Sequence, residues 1–163
     1  MTKCFKAVLI LAVLVIGSGF FGSNTWAEGM SPESVAKRFT KAYFMLDNTM
    51  ADYLSEEAKA DEDERDAVEI YLRIKDQEAG NRGYKMSYLR MLPLLVKTRV
   101  LNVDEASAKI KVDAVMIRSI NPLYRAVGYM FCLLKEHEIE AVIDLVKEEG
   151  EWKIAPGAFD MPV

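Results

Sequence analysis

The chain has a single histidine, and it stands between two acids: Glu136-His137-Glu138. A carboxylate beside an imidazole can hold it charged or orient one ring nitrogen, as general acid–base chemistry requires. No second piece of a catalytic set accompanies it. The sequence contains no Gly-rich phosphate loop, no zinc-ligand spacing and no nucleophile elbow. His137 is therefore a ligand-contact candidate, and no residue is assigned a catalytic role.

Two tyrosines are the next candidates. Tyr43 and Tyr71 fall on the apolar faces of two helical segments, where a phenol can line a pocket or complete a core. Basic residues supply the third kind of chemistry. Residues 73–125 hold eleven bases and five acids, a net of +6. Lys97, Arg99, Lys109, Lys111 and Arg118 come from two strands expected to pair, a face that an anionic ligand or a lipid headgroup could use. Arg118 is carried forward as its candidate contact.

Other features read as structural. Residues 56–66 hold seven acids and two bases. They lack calcium-loop spacing with its central glycine, so they read as a solvated helix start. Cys132 lies among Met130, Phe131, Leu133 and Leu134, with no basic cluster to lower its pKa, and reads as a small apolar side chain. No metal and no cofactor is expected.

The elements that must position these residues begin after an address. Lys3 and Lys6 precede an apolar run, Ala7–Ile16; glycines follow, then Thr25-Trp26-Ala27. That order is a secretory signal peptide cleaved near Ala27. The expected organisation is a signal peptide over 1–27 and one α+β domain over 28–163, periplasmic or secreted. The alternative is an uncleaved inner-membrane anchor, because residues 7–27 carry no charge. Cleavage leaves 136 residues with nineteen bases and twenty-five acids, a net of −6. Of the 163 residues, 51% are hydrophobic and 28% charged, which excludes a disordered tail and a disulfide miniprotein. The acidic balance argues against nucleic acid.

Ser31-Pro32-Glu33 opens a helix, and Val35, Phe39, Ala42, Tyr43 and Leu46 share one face of it. A short second helix is expected at Met50, Tyr53 and Leu54, and a third with Val68, Tyr71, Leu72 and Ala79 inward, ending at Gly80 and Gly83. Residues 84–92 are ambiguous between a helix and an irregular approach, and Pro93 is expected to set the boundary before the strands. From Leu94 the texture becomes β: Leu94–Val103, then Ala108–Met116 in strict alternation, Glu138–Leu145, and Glu151–Ile154 after the Glu148-Glu149-Gly150 turn. Between the second and third strands, Pro122 opens a helix, and Leu123–Leu134 carries one charge, Arg125. Twelve residues cannot cross a bilayer. The segment is expected to pack in the core, with a lid, a partner surface or a membrane contact as alternatives.

This layout resembles the nuclear transport factor two-like superfamily of cystatin-like α+β domains. The resembling pieces are the entry helix Ser31–Leu46, Met50-Ala51-Asp52-Tyr53-Leu54, the strand Ala108–Arg118 and the closing Glu148-Glu149-Gly150-Glu151-Trp152-Lys153-Ile154. The resemblance implies N-terminal helices on a curved sheet of about four antiparallel strands, closed as a cone. A ligand or an active site often occupies the mouth. It implies an exported, non-catalytic domain that binds a small apolar or anionic ligand, a protein partner or a second copy in the envelope. Tyr43, Tyr71, Arg118 and His137 are the expected contacts. Two alternatives stand beside it: a small cone-pocket enzyme of isomerase or hydrolase type on an apolar molecule, and a membrane-associated interaction protein.

Overall fold

A computed structural model describes residues 29–60, 65–119, 122–131 and 133–161. The expected signal peptide, Cys132 and the middle of the acidic run lie outside the described residues. The described chain is α+β. Helix α1 (Pro32–Met45) leads through a 3-10 turn (Asn48–Tyr53) to a short helix α2 (Glu56–Lys59) and a long helix α3 (Ala67–Asn81). Strands β1 (Met91–Val103) and β2 (Ser107–Arg118) follow, then helix α4 (Pro122–Met130) and strands β3 (Glu136–Glu148) and β4 (Glu151–Ile154). The strands form an open antiparallel sheet in chain order.

Local chemistry sets the helix ends. The Ser31 side chain accepts from the Ser34 N–H, and Pro32 takes the first turn, where its missing N–H costs nothing. Asp66 accepts from Val68 and Glu69 at 2.8 and 3.0 Å and starts α3. The acidic run is thus divided: its first part forms α2, capped by Ser55, and its last residue caps α3. The expected second helix is a 3-10 turn. Leu54 leaves it to pair with Ile154, and the Ser55 N–H donates to the Ile154 carbonyl at 3.0 Å. That contact seals the outer edge of β4.

β1 begins at Met91, three residues before the expected start. Pro93 does not end the strand, because β1 is an edge strand and the register slips between Pro93 and Leu95. A proline is tolerated at such a bulge, where no ladder N–H is required. The β3–β4 hairpin turns through Glu149 and Gly150, both at positive φ, which glycine adopts without steric cost.

α1 contacts every strand. Its buried stripe of Val35, Ala36, Phe39, Ala42 and Tyr43 meets Ile110, Val112, Ala114 and Met116 of β2 and Ile139, Ala141, Ile143 and Leu145 of β3 in one core. The alternation read from sequence is the alternation of core and solvent faces. Phe39 is fully buried at the centre. Phe39→Ala is expected to cost about 3–5 kcal/mol, a large share of a typical domain stability of about 5–15 kcal/mol. Urea unfolding with an unchanged m-value would measure it; a loss below about 1 kcal/mol would mean the site collapses around the void.

Candidate functional site

Tyr43 projects from the end of α1 and Tyr71 from the second turn of α3. Their rings stack, with centroids 4.8 Å apart and planes 23° apart. Phe159, in a 3-10 turn at Ala158–Asp160, closes the group at 5.2 Å from Tyr71 and 6.4 Å from Phe39. The Tyr43 hydroxyl donates to the Phe159 carbonyl at 2.9 Å. Burial pushes the Tyr71 phenol far above the usual tyrosine range, and the neighbouring Tyr43 phenol adds to the shift. Burial also raises Tyr43, with partial relief from Tyr71.

The stacked pair separates two recesses. One, of about 410 Å³, lies among Ala67, Ile70, Ile74, Phe159 and Met161. The other, of about 120 Å³, has an apolar floor of Phe44, Leu46, Leu89 and Met91 and a charged rim of Lys75, Glu78, Arg82 and Arg118. Glu78 is shared by Lys75 at 3.1 Å and Arg82 at 3.0 Å, and the Lys75 hydrogen bond holds its carboxyl below the usual range. One acid against three bases leaves the rim cationic. Arg118 is exposed and has no ion pair among the described residues.

Three of the four expected contacts, Tyr43, Tyr71 and Arg118, therefore border one recess. His137 does not join them. It pairs with Met116 in the β2–β3 register, half-buried, and lines neither recess. Sequence reading missed Lys75, Glu78 and Arg82, although they continue the helical face of Tyr71 at offsets of four, seven and eleven. It also missed Phe159, which carries no local signal because its contacts are far away in the chain.

The basic face of β1 and β2 is partly neutralised. On the outer side of the sheet, β3 supplies acids to the two lysines of β2, whereas Arg99, opposite Lys111, has no ion pair among the described residues. Lys111 meets Glu140 at 2.6 Å and Asp113 at 3.7 Å, and Lys109 meets Asp144 at 3.3 Å. Lys97 stands opposite Asp113. A shallow groove of about 330 Å³ there, between Leu95, Lys97, Asp113 and Glu138, is lined by both signs of charge. Among the described residues, no group of three or more His, Cys, Asp and Glu side chains converges as a metal site.

No protein-family model matches the chain, and no curated protein matches it.

The burial of the two phenols has a consequence for stability. Both states hold these protons below about pH 10, and above it the unfolded chain releases them first. Stability is thus expected to fall as pH rises past about 10. The urea midpoint between pH 9 and pH 11 should drop more steeply in the wild type than in Tyr43→Phe/Tyr71→Phe. Equal slopes would show that the pair does not carry the effect.

Proposed function

We propose that this chain is an exported, non-catalytic binding domain of nuclear transport factor two-like shape, its sheet curving around α1 as a cone. Its site is the recess between α3 and the end of the sheet. One observation carries this reading: Arg118 stands uncompensated at the rim of an apolar floor, beside the stacked phenols of Tyr43 and Tyr71. An apolar floor favours a hydrocarbon or aromatic body, and a lone guanidinium favours an anionic end. The ligand is a small amphiphilic anion, such as a carboxylate on an apolar ring or chain.

Binding is favoured over catalysis because the groups at the recess are poor proton carriers at neutral pH. The phenols are held in their neutral form, and Glu78 is engaged by two cations. His137, on which an enzyme reading would rest, lines neither recess. The 410 Å³ recess beyond the tyrosines falls within the usual range for small-molecule sites.

Native mass spectrometry of protein released gently from its own host tests this. The wild type is expected to carry a small-molecule adduct, weakened about tenfold or more in Arg118→Gln. A clean apo mass for the wild type would sink the proposal.

A further inference from the structure

Two surfaces of the domain lie open. Helix α4 stands apart from the core expected for it, with Met130 and Phe131 75% and 63% exposed. A Cβ on Gly128 would fall 2.8 Å from the Leu134 side chain, so the bare glycine lets Leu134 fold back onto the helix. Nothing in the chemistry of that face selects an occupant. The outer edge of β1 differs, because a row of unpaired ladder groups is matched in full by another extended backbone. The two edges of the sheet are also unlike. On β4 the chain itself returns: Leu54 pairs with Ile154, and the Ser55 N–H donates to the Ile154 carbonyl. Among the described residues, nothing pairs with the outer edge of β1.

The sequence of β1 limits what can be added. Its register slips between Pro93 and Leu95 and again between Val100 and Asn102. Bulges bend a strand and interrupt its ladder, so the regular stretch is the six residues Leu95–Val100. Every second residue there turns its N–H and C=O away from β2. Side chains alternate: Leu95, Lys97 and Arg99 share the outer face with Lys111, and Val96, Thr98 and Val100 share the core face. Residues 79–103 hold five bases and no acid. Arg99 stands directly opposite Lys111, a like-charged pair, and Lys111 is engaged by Glu140. Lys97 stands opposite Asp113, but Asp113 lies 3.7 Å from Lys111. Neither Lys97 nor Arg99 has an ion pair among the described residues. A strand laid outside β1 would set its own side chains about 5 Å from theirs.

A second copy of the same edge does not fit. In the antiparallel registers of greatest overlap, Lys97 falls opposite Lys97 or Arg99 of the other copy, and like charges directly opposite repel. Acids at those two positions attract instead, and branched residues match Val96, Thr98 and Val100. We propose that the outer edge of β1, over Leu95–Val100, is a docking site for an extended protein segment in which acids alternate with branched apolar residues, added as a fifth strand. The same pattern already works inside the domain. β3 turns Glu138, Glu140 and Asp144 outward and Ile139, Ala141 and Ile143 into the core. The site does not rest on the ligand reading of the recess.

End-blocked hexapeptides test this on the full, isotope-labelled chain, by NMR titration and amide exchange. The probe is Val-Glu-Thr-Glu-Val-Leu, written to run antiparallel to Leu95–Val100; Val-Lys-Thr-Lys-Val-Leu is its charge-reversed counterpart. The acidic peptide is expected to slow exchange at about three amides within residues 95–100. The basic peptide should bind about tenfold more weakly. Lys97→Glu/Arg99→Glu, at two exposed positions, should invert that preference. Two further acidic peptides carry N-methyl groups on alternate residues, one set along each edge. One set should abolish binding and the other leave it nearly unchanged, because only one edge of the peptide meets β1. Four results would each overturn the proposal: no protection of residues 95–100 at millimolar peptide, equal affinity for the two charges, equal binding by the two methylated peptides, or protection without peptide that grows with protein concentration. The last would mean that a second copy occupies the edge.

Discussion

One side chain ties together three parts of the chain that no local rule would bring near each other. Tyr43 belongs to the helix that covers the sheet, stacks on Tyr71 of the third helix, and donates to the carbonyl of Phe159 near the C-terminus. Its ring is almost fully buried. A buried hydroxyl needs a partner, and Phe159 supplies one only if the chain returns from β4 to the ends of α1 and α3. The Ala158–Asp160 turn does this, so the closure of the fold and the wall of the recess depend on the same hydrogen bond.

What was legible in the sequence follows from the range of the interactions involved. The start of α1 is local, Ser31 to Ser34 and a stripe repeating every three or four residues, and it stands as read. The alternation of β2 and β3 is nearly local, since one buried face fixes the phase of every side chain. The sheet's edge was not legible. Whether Pro93 stops a strand depends on whether a neighbour needs its N–H, and only the order of strands decides that. The placement of α4 was not legible either. A segment apolar all round has no phase, so composition alone cannot say which side faces the core; here a glycine and a leucine inside the segment use up the inward contact.

The candidate site divides in the same way. Tyr43 and Tyr71 were visible because a helical face announces its members, and the charged rim at Lys75, Glu78 and Arg82 follows that face. Arg118 was visible only as one base among five. Strand pairing then assigned opposite fates to residues alike in sequence. Lys109 and Lys111 received Asp144 and Glu140 from β3. Arg118 lies past the last residue of β2 that pairs with β3, so no acid of that strand stands opposite it. The charge of these strands is thus matched at Lys109 and Lys111 and left unmatched at Arg118, at the end of the sheet.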